Sequence, residues 1–240
     1  MPASSSSPSP VVVAIDGPAG SGKSTLGKAL AKALAHALGH AWAYLDTGAM
    51  YRAVAVEALR RGVPLEDAST IAGLARDLRI DFEPGEGRVR VNGRDVTGEI
   101  RTPDVNAAVS YVAEIPEVRA VMRDHQRRFA AVHGHVVADG RDMGTAVFPH
   151  AALKVFLEAH EDERVRRRVE ELRTNDPAVD AGRVREALLA RDRKDIGREA
   201  DPLVRAPDAV AVDTTGLTPS EVVEKVRSLV LSRVPPVAGR

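Results

Sequence analysis

The chain has 240 residues, 44% hydrophobic and only 3% aromatic, enough to fill one α/β core with Ala, Val and Leu. Lys plus Arg and Asp plus Glu number 34 each, so no net field draws the molecule to nucleic acid or an anionic membrane, and anions must be bound by local clusters. With no cysteine, disulfides and thiolate metal sites are excluded and a reducing compartment is natural; no apolar run approaches the ~18 residues that span a bilayer.

Met1–Pro10 is Ser/Pro-rich and lacks the pattern of a signal peptide, so it reads as a disordered tail on a cytoplasmic protein. VVVAID, Val11–Asp16, reads as a buried parallel strand. A glycine-rich loop follows, then an Ala/Leu-rich helix with Leu26, Leu30, Ala33 and Leu34 at helical spacing. A second strand, AWAYLD, ends at Asp46; TGAMYRAVAVEALRRG is then a helix with Thr47 as N-cap and Gly62 as its stop. A polar helix near Thr70–Leu78 leads to RIDFE and RVRVNGRDVTG, short strands with a hairpin turn at Asn92–Gly93. Two helices return after residue 101, the second opened by Pro116. HVVAD (135–139), LKVFLEA (153–159) and AVAVDTT (209–215) add three strands separated by helices. Five strands alternating with helices predict an α/β fold: a five-stranded parallel sheet with helices on both faces and a small antiparallel insert.

GPAGSGKS, Gly17–Ser24, fits the spacing Gly, four residues, Gly, Lys, Ser/Thr, between a strand and a helix as a phosphate loop requires. The glycines let successive backbone N–H groups converge on phosphate oxygens, and the helix N-terminus adds partial positive charge. Lys23 reaches the outer phosphates and the Ser24 hydroxyl sits on Mg²⁺. A guanine-reading Asn-Lys-x-Asp is absent, the single Asp-x-x-Gly (Asp213–Gly216) lies on the last strand, and the third core strand ends VVADGRD rather than in the Asp-Glu pair of a motor.

Ligands of open parallel sheets bind beyond the carboxyl ends of the strands. DTGAMYR, with Asp46, Thr47, Tyr51 and Arg52, and DGRDMG, with Asp139, Arg141 and Asp142, occupy such ends. Further on, Arg164, Arg167 and Arg168 share one helical face, and Arg191, Asp195 and Arg198 another. Solvated turns and surface salt bridges are the alternative account of each cluster alone. Together they suit bringing two mutually repelling phosphates into one cleft. A phosphate monoester, with a second pKa of about 6, needs no strong base to act as acceptor, and no histidine lies in these segments.

IDGPAGSGKSTL, YLDTGAMYRA, VTGEIRTPDV, ADGRDMGTAVFP, RDRKD and VDTTGL, in this order from about Val11 to Val230, resemble bacterial cytidylate kinases. The resemblance implies transfer of the ATP γ-phosphoryl to CMP or dCMP with Mg²⁺ by a monomer of the P-loop nucleoside monophosphate kinase fold, strand order 2-3-1-4-5. It implies a single kinase domain over 11–240: a core (11–70 and 101–240), the strand part of a monophosphate-binding insert (about 71–100) and a short mobile lid (about 160–198). By the same resemblance Gly17, Pro18, Ala19, Gly20, Ser21, Gly22, Lys23, Ser24 and Thr25 hold ATP, with Arg167 beside them. Lys23, Arg52, Arg141 and Arg191 carry the catalytic electrostatics. Thr47, Tyr51, Asp139, Asp195 and Arg198 line the acceptor site, where Ser110, Arg119 and Asp142 read cytosine; a carboxylate at 142 accepts from the N4 amino group and repels the carbonyl of uracil. The sequence departs from the family pattern in three places: a longer link near His36–Ala41, expected as a lengthened loop; Asp201 before Pro-Leu, expected to weaken the hold of Arg198; and His150 in FPHA. Another acceptor, such as UMP or an alcohol, and a regulatory nucleotide switch remain the alternatives.

Overall fold

Residues 10–82, 87–174 and 176–234 are described by a computed structural model. Its middle strand is β1 (Val11–Asp16), five of whose six residues are buried. Val12 and Ala14 point to one core, Val13 and Ile15 to the other, the period of two that a strand covered on both faces imposes. α1 (Lys23–Leu38) and β2 (Ala43–Asp46) follow, then α2 (Thr47–Arg60) and α3 (Ala68–Asp77). The insert is a separate antiparallel sheet of β3 (Ile80–Phe82), β4 (Val89–Val91) and β5 (Arg94–Asp95). Its hairpin turns at Asn92 (φ 50°) and Gly93 (φ 82°), two consecutive left-handed residues as the sequence pair predicts.

α4 (Pro103–Glu114) and α5 (Pro116–His133) each open on proline, whose missing N–H is no loss at a first turn. β6 (His135–Asp139) and β7 (Leu153–Glu158) then flank β1, with α6 (Glu161–Arg173), α7 (Ala181–Gly197), β8 (Val210–Asp213) and α8 (Pro219–Leu231) behind them. All neighbours in the order β2-β6-β1-β7-β8 are parallel, which is the expected 2-3-1-4-5. Register aligns the carboxyl ends: Ile15 faces Asp139, and Asp46 faces Asp139 from the other side. Helices α2 to α5 build the core on one face and α1 with α8 the core on the other.

Three local expectations are corrected. Asp46, not Thr47, caps α2 by accepting from the Ala49 N–H at 2.9 Å; Thr47 is already helical and its hydroxyl donates to the Asp139 carbonyl instead. The extra residues after His36 do not lengthen a loop. His36–Leu38 continue α1 until Gly39, at φ 73°, ends it, because Ala, His and Leu there offer no reason to stop. β2 starts at Ala43, two residues later than expected, with the His40 and Trp42 rings packed at a tilt against His135. The expected tail, apart from Pro10, and Glu83 of the expected strand RIDFE lie outside the described residues.

Candidate active site

Three left-handed glycines shape the loop after β1: Gly17, Gly20 and Gly22 at φ 149°, 74° and 92°. A Cβ on Gly17 would strike the Leu157 carbonyl, and one on Gly20 would come within 2.9 Å of the Arg164 carbonyl. Gly22 is the N-cap of α1 and has no capping side chain, so the first N–H groups of the helix stay available to an anion. Lys23 is buried; its Nζ folds back to donate to the Pro18 carbonyl at 2.6 Å and the Ser21 hydroxyl at 3.3 Å. Burial, then the nearby Arg141, pulls its pKa well below the usual lysine range. Asp139 and Asp195 act in the opposite direction, and the two neutral oxygens that hold the amine are partners an anionic ligand can displace.

Asp139, at the end of β6, accepts from the Ser24 hydroxyl at 3.0 Å on Oδ2 and from the Tyr44 hydroxyl at 2.7 Å on Oδ1. Burial, with Asp46 acting in the same direction, pushes its carboxyl up to about 6. A hydroxyl and a carboxylate side by side are hard oxygen donors of the kind Mg²⁺ takes while drawing its other ligands from phosphates and water. Among the described residues no group of three or more His, Asp or Glu forms a ready metal cage. Asp16 is used differently: it accepts from the N–H groups of Met143 and Gly144, both at 2.8 Å. It thereby anchors the π-helical turn Met143–Val147 behind the DGRD segment.

The arginines converge. Arg141 Nε donates to Asp195 at 2.7 Å, and Arg52 Nη2 lies 3.3 Å from Asp46. α7 persists to Gly197, which keeps Arg191 and Asp195 on one face. The Arg191 guanidinium is pushed down to about 10 by burial, then by Arg141, with Arg52 and Arg168 adding repulsion. Of the residues expected to bind, all but Gly17 and Pro18 line one cavity of about 1490 Å³. Gly17 and Pro18 lie behind it, where Gly17 sets the turn and Pro18 supplies the carbonyl for Lys23.

At the far end of that cavity, Arg119 is buried beneath Tyr51, its Cζ 5.5 Å from the ring centroid. Its Nη2 donates to Asp142 Oδ2 at 2.5 Å. Arg198 lies on the other side of Asp142, Nη2 to Oδ1 3.8 Å. The Asp201 carboxylate does not act on Arg198 as expected. At φ 48° the chain turns that side chain away, toward Arg119 and Arg123 at 3.1 and 2.7 Å, while the Asp201 carbonyl accepts from Arg198.

Arg164, Arg167 and Arg168 share a helix but not a task. Arg167 sits beside Gly22 and donates to Thr214 and Glu163; Arg168 pairs with Glu171 at the cavity rim. Arg164 does not face the cavity: it is buried against Asp192 and donates to the Ala19 carbonyl, while Asp192 accepts from the Ala19 N–H at 2.9 Å. Helices α6 and α7 thus grip both polar groups around one loop residue, which sequence reasoning missed. Its signal was Asp192 one turn from Asp195 inside an otherwise basic run. Tyr44 was missed as well; its place two residues before the strand-terminal Asp46 sets it on the same face of β2 as that acid.

Among the described residues no helix is long and apolar enough to cross a membrane. A family model described as cytidylate kinase matches residues 13–232. A cytidylate kinase of Solibacter usitatus is 47% identical over 226 residues, covering 93% of this chain and 94% of that protein. One of Geobacillus kaustophilus is 46% identical over 226 residues, 93% and 98% of the two chains, and one of Limosilactobacillus reuteri 44% over 221 residues, 91% and 94%.

Proposed function

The chain belongs to the cytidylate kinase family, and from that premise we propose that it transfers the γ-phosphoryl of ATP to CMP or dCMP, giving ADP and CDP or dCDP. The observation that carries the site assignment is the convergence of Lys23, Arg52, Arg141 and Arg191, from four separate elements, on one cavity. ATP is placed on Gly17–Thr25 beside Arg167, and the monophosphate between the insert and the core, against Thr47, Tyr51, Arg52, Ser110, Arg119, Asp142, Asp195 and Arg198. The work of the protein is electrostatic, because the acceptor phosphate is already ionised near neutral pH and needs no general base. Arg52, Arg141 and Arg191 hold the acceptor and the transferring group together against their mutual repulsion. Lys23 exchanges the Pro18 carbonyl for a phosphate oxygen, which restores the stability of its charge. Ser24 and Asp139 are the residues that would hold Mg²⁺; when bound, that ion neutralises charge between the terminal phosphates.

Asp142 Oδ1 is left to accept from the cytosine amino group, since Oδ2 is held by Arg119. The hairpin of α6 and α7, inside the lid segment of about 160–198, closes over both nucleotides and excludes water that would otherwise take the phosphoryl. We read the protein as a monomer working in the cytoplasm on these small molecules. ADP release with ATP and Mg²⁺, compared over CMP, dCMP, UMP and AMP, tests the reading. Strong turnover with CMP or dCMP alone supports it. Turnover independent of any monophosphate replaces it with a nucleotide switch, and UMP used as well as CMP removes the role given to Asp142.

A further inference from the structure

We propose that Asp201 is a positioning residue for base selection, its carboxylate locking the Arg119 guanidinium in the orientation that presents Asp142 to the base. The inference rests on the reading of Arg119 and Asp142 as the base-contacting pair and adds a residue that neither touches the reacting atoms nor lies in the phosphate site.

Arg119 is 2% exposed, so its guanidinium can be aimed only by the groups packed around it. Three groups aim it from three sides. Nη2 donates to Asp142 Oδ2 at 2.5 Å, Nη1 to the Ala113 carbonyl at 3.2 Å and Nε to Asp201 Oδ2 at 3.1 Å. Asp142 and Ala113 alone leave the Nε edge unheld, and the plane is then able to swing about the Asp142 contact. Asp201 closes that freedom from a distant segment of chain, 82 residues away in sequence. The same residue steadies the second cation on Asp142, because its carbonyl accepts from Arg198 Nε at 2.7 Å. Asp201 achieves both only at φ 48°, a left-handed backbone that Asp, Asn and Gly tolerate. Charge points the same way. Arg119 and Arg198 lie against Asp142, and Arg119 also reaches Asp201, which pairs with Arg123 as well, so Asp201 supplies a second carboxylate to the cations beside Asp142. Without it Arg119 has reason to draw further onto Asp142 and to compete with the base for that carboxylate. A mobile guanidinium is also able to donate to the carbonyl that uracil carries where cytosine carries an amino group, which erodes the discrimination directly.

Two substitutions test the assignment. Asp201→Gly removes the carboxylate but keeps the left-handed turn and the carbonyl that holds Arg198. We expect KM for CMP to rise about tenfold and the CMP-over-UMP ratio of kcat/KM to fall about tenfold, with kcat and KM for ATP within about twofold of wild type. Asp201→Asn keeps one acceptor and loses the charge, so the same two quantities shift about threefold in the same direction. A ratio and a KM for CMP that stay at wild-type values in both variants, whatever happens to thermal stability, overturn the proposal and leave Asp201 as a tie between α5 and the segment after α7. If Asp201→Gly does not fold, Asp201→Asn decides alone by the same criterion. Failure of the underlying reading is distinguishable, because it appears in the wild-type protein as absence of a preference for CMP.

Discussion

Single residues here act through the partners they lack as much as those they have. Lys23 is buried with its amine on two neutral oxygens, contacts that an anionic ligand can displace. Replacing it with Ala is expected to lower kcat by on the order of 10²-fold or more, because a preorganised charge is removed from the transferring group; steady-state ADP release measures it, and an unchanged kcat would make Lys23 a structural residue. At the other end, Asp142→Asn keeps the shape but adds an amide donor. The preference for CMP over UMP should narrow by about tenfold, read as the ratio of kcat/KM values. Lys23 was legible because loop spacing dictates it. The Asp201 carboxylate was not, since three residues from Arg198 in sequence suggested a neighbour, and a single left-handed residue sends the side chain the other way. Spacing rules assume a regular backbone and fail at the first residue that leaves it.

Elements were more legible than their contacts. The strand β6 falls on HVVAD as expected, and the hairpin turns at Asn92–Gly93, because period-two burial and turn chemistry are written locally. What α6 and α7 grip was not local. Arg164 and Asp192 are buried, come from different helices and hold the carbonyl and N–H of Ala19 between them. Such a pair is costly to break one-sidedly, since the surviving charge stays buried without a partner, and loss of one member typically destabilises by about 3–5 kcal/mol. Asp192→Ala should therefore lower the thermal midpoint by several degrees. It should also raise KM for ATP, because the Ala19 peptide loses the groups that fix it. The paired change Arg164→Met with Asp192→Leu removes both charges and should recover most of the midpoint, yet leave KM for ATP raised. Calorimetry and ATP titrations separate the two effects. A double variant with wild-type KM would show that the helices do not order the loop.

On the scale of the whole molecule, equal numbers of acids and bases conceal a local excess of cations around the cavity. The sheet order explains it: β1, β2 and β6 end together, and the arginines of α2, α7 and the segment after β6 meet beyond those ends. That convergence was legible, since strand ends mark ligand sites in open parallel sheets; which acids share the load was not, because Asp195 reaches Arg141 across 54 residues. The imbalance weighs on the empty protein. Arg191 has its pKa pushed down to about 10, first by burial and then by Arg141, so its charged form is less favourable folded than unfolded. A cation with a lowered folded pKa carries its full penalty at every pH below that value, and the penalty disappears only as pH rises toward the unfolded value. At pH 7 to 8 the penalty is therefore fully present. Arg191→Met removes the charge and keeps an unbranched apolar stem, so the nucleotide-free variant should melt higher, by about 2–4 °C for each kcal/mol of repulsion relieved. Turnover should collapse at the same time, the exchange of stability for function expected of a site built to bind anions. Bound ATP and CMP relieve the same repulsion in the wild-type protein, so saturating nucleotide should raise its midpoint by more than it raises that of the variant. If the variant melts lower without ligand, the attraction of Arg191 to Asp195 outweighs its repulsion from Arg141 and Arg52, and the site is balanced rather than overcharged.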